Sequence, residues 1–328
     1  MVLKCAIFCP ESLDGVASAA VLVRMARLKN YNYRITFVSY QNANAVFEDM
    51  SKLENTAIFI LDFSPEEIKD LEKKIKKLQK YQNKIVYWNS HLPFTKQTKE
   101  MLTQHVKIVD FAGVPIEEMD SNYNKNSFCS AELSTKRFMP TDFVSLTLAK
   151  IARDKEFWER QDERSMKLTD VLNSGFNKRE LIEMLSKGVY WGEQFEEIRN
   201  EYIAKREKAL EDLTTKMIIK NYITKKVGIS LASTLLSSSD AGERMIDTGA
   251  IEIAAILFKD GKLSFRRSND SKINLAKVAS KFEGGGNQYA SAGKILLNEL
   301  HLDRIGSQKD FEKVVNHVHN VLIDFFGA

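Results

Sequence analysis

The chain has 328 residues, of which 44% are hydrophobic and 28% are charged; this composition is typical of a globular protein and excludes general disorder. At roughly 150 residues per domain, the length predicts about two domains. Its 48 basic and 44 acidic residues give a net charge of +4, which permits contact with nucleic acid without requiring it. No stretch approaches the ~18–20 uninterrupted apolar residues of a membrane-spanning helix.

Strands and helices are predicted to alternate over the first 110 residues. A helical pattern covers residues 15–29, and a second helix is predicted to open at Ser64 as N-cap, with Pro65 in its first turn, and to run to about Gln82. The predicted strands are residues 3–9, 35–39, 56–61, 84–88 and 106–109. Apolar strands separated by helices predict a mostly parallel sheet that is covered on both faces. The lysine-rich stretch 69–80 is interpreted as the solvated face of the second helix.

Helical patterns dominate residues 129–220, and the charged stretch 191–220 predicts a long connecting helix. Strand patterns then return at residues 227–231, 251–258, 262–266 and 294–297, with further helices from about Asn274 and Asp310. The predicted fold class is therefore α/β, with an N-terminal mostly parallel sheet domain and a smaller C-terminal α/β domain. The predicted boundaries are 1–175 for the first domain, 176–222 for the helical connector and 223–328 for the second domain.

Polar side chains follow several predicted strands at the points where these strands end. They are Asp14, Asp62, the triplet 89–91 and Asp110. Open α/β sheets bind ligands at the carboxyl ends of their strands. For Asp110 we favour a structural role in a turn or helix cap, whereas Asp14 and Asp62 together indicate a site.

The segment 9–20 carries a recognisable motif. It reads Cys-Pro-Glu-Ser-Leu-Asp-Gly-Val-Ala-Ser-Ala-Ala and resembles the first motif of the DHH phosphoesterase superfamily, His-x-Asp-x-Asp-Gly-x-x-Ser-Ala. Pro10 stands at the position of the His and Ser12 at that of the first Asp. Asp14 and Gly15 match the second Asp and its Gly.

Three further positions extend this resemblance along the first domain. Asp62 resembles the aspartate of the second motif. The triplet Asn89-Ser90-His91 occupies the place of the Asp-His-His triplet that names the family and keeps only its last His. Asp154 lies where the family has its fourth aspartate.

The last third of the chain resembles the family's companion domain. That domain has a Ser-x-Arg-Ser strand, which residues 264–268 resemble, followed by Gly-Gly-Gly-His-x-x-Ala-x-Gly, which residues 284–293 resemble with Asn287 in place of the His. Arg266 matches the family's phosphate-contacting Arg, and Lys281 adds positive charge. The resemblance implies a groove for phosphate or single-stranded nucleic acid lined by Arg266, Arg267, Gly284, Gly285, Gly286 and His91.

The family resemblance implies two divalent metal ions, usually manganese, that activate water against a phosphodiester. The chain departs from that pattern where ligands are needed: Pro10, Ser12, Asn89, Ser90 and Asn287 are degenerate positions. Proline has no side-chain ligand, and serine and asparagine are weak neutral ones. No catalytic residue is therefore expected.

Asp14, Asp62 and Asp154 remain as carboxylates that could hold one Mg²⁺ or Mn²⁺ ion at most. The alternative is that protonation or a neighbouring cation relieves the repulsion between them. The glycines and the hydrophobic pattern remain while the ligands are lost, which favours a fold kept for binding. No cofactor is expected to be required.

A DHH-type fold with a degenerate site resembles the inactive RecJ-like subunit of the MCM–GINS replicative helicase and, more closely, its archaeal counterparts. This resemblance implies a non-catalytic replication protein with the GINS complex and the MCM helicase as partners, and with weak binding of single-stranded DNA. The stretch 191–220 is the candidate docking surface. The alternatives are a divergent metal-dependent single-strand exonuclease or oligonucleotide phosphodiesterase, and a nucleotide-binding regulator.

The remaining chemistry-bearing residues are interpreted structurally. Cys5, Cys9 and Cys129 form no Cys-x-x-Cys pair, and this sparse set together with the lack of a signal peptide predicts a reducing, cytoplasmic location without membrane contact. His317 and His319 lie two positions apart on a predicted helix and therefore point to different faces. The tryptophans Trp158 and Trp191 are expected to pack.

Overall fold

The computed structural model describes residues 4–113, 115–118, 128–223 and 225–327. It divides the chain into two compact units, Met1–Asn200 and Glu201–Ala328. The division falls within the long helix that the sequence predicted as a connector. Each helix that the structure describes is too short or too polar to span a membrane.

The first unit is built on five parallel strands, which confirms the predicted mostly parallel sheet. The strands are β1 (Lys4–Cys9), β2 (Asn32–Phe37), β3 (Thr56–Ile60), β4 (Lys84–Ser90) and β5 (Ile108–Phe111). Their order is β2-β1-β3-β4-β5, so the chain turns back between β1 and β3. In open parallel sheets a crevice forms at the carboxyl ends of the two strands that flank such a point.

Helices cover both faces of this sheet. They are α1 (Leu13–Leu28), α2 (Ala43–Met50), α3 (Leu71–Lys80), α4 (Lys96–His105), α5 (Ser130–Phe138), α6 (Phe143–Glu156), α7 (Glu163–Asn173) and α8 (Lys178–Ser186). One core packs α1 and the helices from α5 onward against the sheet, and a second core packs α2, α3 and α4 on the other face. Both faces of β1 and β3 are therefore buried, which explains why these strands are apolar throughout.

One helix begins later than the sequence predicted. Ser64 does accept a hydrogen bond from the Glu66 N–H, but it caps only the short 3₁₀ turn Pro65–Glu67. The chain then breaks at Asp70, whose φ is +52°, and α3 begins at Leu71. Ser64 therefore acts as an N-cap, as predicted, but it caps a 3₁₀ turn and not the helix.

The second unit holds a six-stranded mixed sheet. The long helix α9 (Glu193–Thr215) leads into it and is followed by β6 (Ile218–Asn221), β7 (Lys226–Leu231), α10 (Ser238–Ile246), β8 (Ile253–Leu257), β9 (Lys262–Arg267), α11 (Leu275–Ala279), β10 (Gly285–Gly286), β11 (Ala290–Lys294) and α12 (Gln308–Phe326). The order is β10-β11-β9-β8-β7-β6. Of these six strands, β7 and β8 run parallel, the other neighbours run antiparallel, and α10 connects β7 to β8 as a β-α-β crossover.

Two predictions for this unit were wrong in position. The strand predicted at residues 294–297 is β11, which lies earlier because small residues there allow close packing: a Cβ on Gly293 would lie 2.7 Å from the Phe282 carbonyl oxygen. Leu297–Leu300 instead forms a 3₁₀ turn. The predicted long helix ends at Thr215, and part of the remaining segment forms β6 at the edge of the sheet.

Candidate functional site

Three side chains meet at the carboxyl edge of the parallel sheet. Asp14 lies in the first turn of α1 after β1, Asp62 follows β3, and His91 follows β4. Each offers a ligand atom within 4.8 Å of the others, and all three are buried, with 1%, 6% and 8% exposure. The strand order therefore brings together residues that are up to 77 positions apart in the sequence.

His91 lies between carboxylates on both sides of its ring. Its Nδ1 is 2.9 Å from Asp62 Oδ1 and 3.4 Å from Asp14 Oδ2. Its Nε2 is 3.0 Å from Oε1 of Glu156, at the end of α6. An imidazole with carboxylate oxygens at both nitrogens can donate at both only when it is protonated.

Asp14 is held by the start of a helix. Its Oδ2 accepts a hydrogen bond of 2.7 Å from the Ser130 N–H, and its Oδ1 accepts one of 2.7 Å from the Ala131 N–H. These are among the first N–H groups of α5, which have no partner inside the helix and favour a negative charge. Both oxygens of Asp14 are thus already engaged by the backbone.

Asp62 is held in a strained turn by two hydroxyls. Its φ is +52°, which is uncommon for a residue other than glycine. Ser12 Oγ donates to Asp62 Oδ2 at 2.9 Å, and Ser130 Oγ donates to Oδ1 at 3.0 Å. The Asp62 N–H donates to the side-chain oxygen of Asn89 at 2.8 Å, which fixes the turn.

Burial and the neighbouring charges shift the protonation of this cluster. Burial by itself lowers the pKa of His91, but the surrounding carboxylates of Asp14, Asp62 and Glu156 more than offset this and hold its pKa well above the usual value for histidine. Burial, followed by the charge of Asp14, raises the pKa of Asp62 to about 6. At neutral pH the imidazolium is therefore the cation that compensates the buried carboxylates.

Asp154, the remaining predicted metal ligand, is not part of this group of three. Its Oδ1 accepts hydrogen bonds from the N–H groups of Gln161 (2.6 Å) and Asp162 (3.0 Å), and its Oδ2 accepts one from Ser165 Oγ (2.5 Å). It thereby ties the loop after α6 to the start of α7. The carboxylate that reaches the site from α6 is Glu156, which sequence reasoning missed.

The degenerate positions are engaged inside the fold. Ser12 is the N-cap of α1 and accepts a hydrogen bond from the Gly15 N–H. Asn89, fully buried, donates to the Ser130 carbonyl oxygen and to Ser134 Oγ, both at 2.9 Å. Ser90, 1% exposed, accepts a hydrogen bond from the Leu92 N–H at 3.1 Å.

Pro10 packs at the start of α1. A Cβ on Gly15 would lie 2.6 Å from the Pro10 carbonyl oxygen, so the glycine of the first motif is needed for this close approach. Pro10 offers no side-chain ligand. Together with the engaged serines and asparagine, it offers no carboxylate or imidazole to a metal ion.

A cleft of about 420 Å³ opens in front of the cluster, and its lining includes Ser12, Asp62, His91 and Glu156. Aromatic rings form part of its wall: Tyr40, 58% exposed, lies with its ring centroid 5.7 Å from that of Phe63. The size falls in the range of clefts that bind small molecules. No sequence motif marked Tyr40.

Trp158 and Trp191 differ from each other. Trp191 packs against Phe195 at a centroid distance of 5.8 Å, as expected. Trp158 is 61% exposed, so the prediction that it packs was wrong. Lys155 Nζ lies 4.3 Å from the Trp158 ring centroid. The φ of Trp158 is +56°, and this residue lies in the loop that is hydrogen-bonded to Asp154.

In the second unit, Arg266 is half-buried. It donates to its neighbour's carbonyl oxygen at Phe265 (2.9 Å) and lies 3.4 Å from Ser239 Oγ, and burial lowers its pKa. Within the described residues no carboxylate forms an ion pair with it. Arg267 stacks over the exposed ring of Tyr289, with a distance of 4.4 Å to the centroid. Tyr289 was missed in the sequence because it lies among the variable positions of the glycine-rich motif.

The glycine-rich loop is a tight β-hairpin. Gly285 and Gly286 pair with Ala292 and Ser291, and the Gly284 N–H donates to the Ala279 carbonyl oxygen. At the turn, Asn287 Oδ1 accepts the N–H groups of Tyr289 and Ala290. Lys281 is exposed beside this hairpin. Asn287 thus closes the turn at the position where the family has a histidine.

The other predicted structural residues have packing partners. Asp110 lies inside β5 and receives two hydrogen bonds from Arg137, at 2.7 and 2.9 Å, so it forms an ion pair and does not cap a helix or close a turn as predicted. The three cysteines are buried and unpaired. His319 Nδ1 lies 2.9 Å from the Tyr222 hydroxyl, and His317 is partly buried on the same helix α12.

The donor set of the cluster fits a divalent ion. Asp14, Asp62 and a neutral His91 could hold it. The second ring nitrogen of His91 would then donate a hydrogen bond to Glu156, as metal-bound histidines do to carboxylates. Such an ion would compete with the proton on His91. It could polarise a phosphoryl oxygen or a water molecule.

The parallel five-stranded sheet and the second mixed sheet form a fold that the chain shares with solved structures of RecJ and DHH-domain proteins. No protein-family model and no curated protein matches the chain. Among solved structures, the chain is similar to exonuclease RecJ bound to manganese, with a TM-score of 0.56 and 9% identity over 96% of this chain and 90% of that one.

Two further structures have the same fold. The DHH domain of a protein assigned to a family of ribosomal proteins gives a TM-score of 0.53 with 16% identity, over 96% of this chain and 86% of that one. RecJ from Thermus thermophilus in complex with Mn²⁺ gives 0.53 with 10% identity, over 97% of this chain and 52% of that one. The chain thus spans about half of that RecJ and shares its fold.

Proposed function

We propose that this chain is a non-catalytic RecJ-like protein of DNA replication, whose DHH-type fold serves binding instead of hydrolysis. The observation that carries this proposal is the site itself. His91 lies among Asp14, Asp62 and Glu156 as their internal cation, with contacts of 2.9 to 3.4 Å. Two-metal hydrolysis needs a second positive centre for the leaving oxygen. The positions at which the family resemblance would place ligands carry Ser12, Asn89 and Ser90, which form hydrogen bonds inside the fold.

Single-stranded nucleic acid is the ligand that we propose for this fold. Arg266 and Arg267, with Lys281 and the glycine hairpin nearby, supply positive charge in the second unit, and Tyr289 adds an exposed ring. Basic grooves with stacking rings bind single strands without base preference and with strong salt dependence. We therefore expect weak, salt-sensitive binding.

Substitution of one arginine tests this nucleic-acid binding. Arg266→Ala should weaken the affinity for a labelled single-stranded oligonucleotide at low salt, measured by fluorescence anisotropy, and should reduce the salt dependence. Lys73→Ala, on the exposed face of α3, is the matched control. Unchanged affinity in Arg266→Ala would remove this arginine from the proposal.

The proposed partners are the GINS complex and the MCM helicase, as in the inactive archaeal and eukaryotic RecJ-like proteins. The candidate docking surface is α9, 23 residues long, whose outer face is charged. Purified chain and the GINS complex, mixed at micromolar concentration, should co-elute in size-exclusion chromatography. Two separate peaks would contradict the partner assignment and leave the non-catalytic assignment standing.

A second candidate function is a one-metal exonuclease or oligonucleotide phosphodiesterase. The observation that favours it is the same triad, Asp14, Asp62 and His91, with a carboxylate behind the histidine and an open cleft in front. In this case Asp62→Ala would abolish a manganese-dependent activity. A nuclease assay with Mn²⁺ on the intact chain and on Asp62→Ala therefore separates the two candidates.

A further inference from the structure

A second cleft lies in the second unit, at the end of the parallel strand pair β7 and β8. It has a volume of about 410 Å³. Its strand walls are the end of β7 at Leu231, the loop that follows it through Ala232, Ser233 and Thr234, and Lys259 just beyond β8. Loops at the carboxyl ends of strands in a β-α-β crossover are common places for ligands in α/β folds.

Four lysines line this cleft. They are Lys205, Lys208, Lys216 and Lys259. The first two lie on α9 and Lys216 directly follows it, and positions 205, 208, 212 and 216 recur at the spacing of one helix face. Among the described lining residues the one acid is Asp212, whose Oδ2 is 3.6 Å from Lys216 Nζ. The cleft is therefore strongly positive.

The lysines differ in how far acidic partners compensate them. Lys205 Nζ lies 3.3 Å from Glu201 Oε2, at the rim. Over the described ranges of the chain, Lys208 and Lys259 form no ion pair, and both are exposed. Lysines held near one another without acidic partners repel, and a bound anion would relieve that repulsion.

The floor of the cleft is apolar and fixed. Leu213 and Ala232, each 2% exposed, belong to a buried cluster that joins α9 to α10 and β8. Ser230 Oγ donates to the Leu213 carbonyl oxygen at 2.7 Å, and Arg206 pairs with Asp240 of α10 at 2.9 Å. The lysines on α9 are thus carried by a helix that is anchored beside the cleft.

This cleft is separate from the glycine hairpin and its arginines. In the ladder between β8 and β9, Ile253 pairs with Arg267 while Leu257 pairs with Leu263. Arg267 therefore lies near the start of β8, whereas Lys259 lies just beyond its end. The start of α10 does not supply the site either, because Asp240 already occupies its first turn and is hydrogen-bonded to Ser237.

We propose that this cleft binds a phosphorylated small molecule of the nucleotide class. The lysines would contact the phosphate oxygens, the Ser233 and Thr234 hydroxyls would add polar contacts, and the apolar floor would take the body of the ligand. Clefts of this size with apolar floors and a few charged groups are the usual form of small-molecule sites. A long nucleic acid would need a groove that continues beyond this cleft.

Binding of ADP to the full chain, measured by isothermal titration calorimetry at low salt, tests the proposal. ADP should bind with a Kd below about 1 mM, and adenosine, which lacks the phosphates, should not. The double variant Lys208→Ala/Lys259→Ala should weaken ADP binding by about tenfold, and Lys208→Arg/Lys259→Arg should retain it. The control Lys73→Ala/Lys80→Ala removes two exposed lysines from α3 and should have no effect.

Several outcomes would overturn the proposal. These are no binding of ADP by the intact chain, equal loss in the cleft and control variants, or equal binding of adenosine. A single-stranded oligonucleotide of about 20 nucleotides is the second probe. If it, and not ADP, loses affinity in Lys208→Ala/Lys259→Ala, the cleft is a nucleic-acid contact and the small-molecule assignment is wrong. All four substituted lysines are exposed, so thermal unfolding should show each variant folded.

Discussion

His91 determines the chemistry of the cluster, because its protonation state decides whether it is a cation or a metal ligand. Protonated, it neutralises Asp14, Asp62 and Glu156; neutral, it could be a metal ligand. Removal of one partner from a buried ion pair leaves the other charge uncompensated. His91→Gln should therefore lower the free energy of unfolding at pH 7 by about 3–5 kcal/mol, measured by urea denaturation.

The pH dependence provides a second readout of the same residue. A histidine whose pKa is raised by folding contributes stability that is complete below its unfolded pKa of about 6.5 and is lost as the pH rises toward the folded value. The pKa of Asp62 is raised to about 6, so its ionisation also lowers the stability of the folded state as the pH rises from about 4 to 6.

The intact chain should thus lose stability from pH 6.5 to 9, and His91→Gln should flatten this slope. His301→Asn, at an exposed histidine, should keep it. Identical slopes in the intact chain and His91→Gln would show that no imidazolium compensates the cluster.

Asn89 provides a test of whether a degenerate position can be reverted. Its amide donates to the Ser130 carbonyl oxygen and Ser134 Oγ. Asn89→Asp would place a carboxylate oxygen 2.9 Å from that carbonyl, so it should lower the free energy of unfolding by about 1–3 kcal/mol. Asn269→Asp, an exposed change of the same kind, should stay within about 0.5 kcal/mol. If Asn89→Asp is as stable as the control, the asparagine is not needed by the fold.

The sequence could predict Asp14, Asp62 and His91 as neighbours because each follows a parallel strand. It could not predict Glu156, since nothing in a helical pattern marks which of two acids near its end turns inward. The same limit explains Asp154: a family position alone does not reveal that its oxygens are taken by Gln161, Asp162 and Ser165.

The elements themselves were largely predictable, because alternating apolar strands and amphipathic helices are local patterns. All five strands of the first unit were predicted, with ends that differ by a few residues. The exceptions are places where tertiary contacts decide, such as the break at Asp70 before α3 and the shift of the last strand to β11, where Gly293 allows close packing.

The glycine hairpin allows a matched pair of substitutions. A Cβ on Gly284 would overlap the Ala292 carbonyl oxygen, whereas a Cβ on Gly285 would meet no atom within 4 Å. Gly284→Ala should therefore destabilise the chain by about 1–3 kcal/mol, and Gly285→Ala should change little. Thermal unfolding measures both. Equal melting temperatures for the two variants would show that the hairpin is not packed as described.

Across the whole molecule, the fold and the residues of the site point in different directions. The chain shares its fold with RecJ over 96% of its length, yet the residues at the ligand positions cap a helix and hold a buried turn. Fold alone does not determine function, which is decided by the groups in the site. We therefore rest the proposed function on the cluster and not on the similarity of fold.

A nuclease assay with the purified chain, Mn²⁺ and 5′-labelled single-stranded DNA or RNA, with a RecJ exonuclease as positive control, decides whether this chain hydrolyses nucleic acid. We predict no degradation by the intact chain, by Asp62→Ala or by the back-substitution Ser90→His, since Pro10, Ser12 and Asn89 still supply no metal ligand. Degradation by the intact chain that Asp62→Ala abolishes would contradict the account and establish the one-metal phosphodiesterase instead.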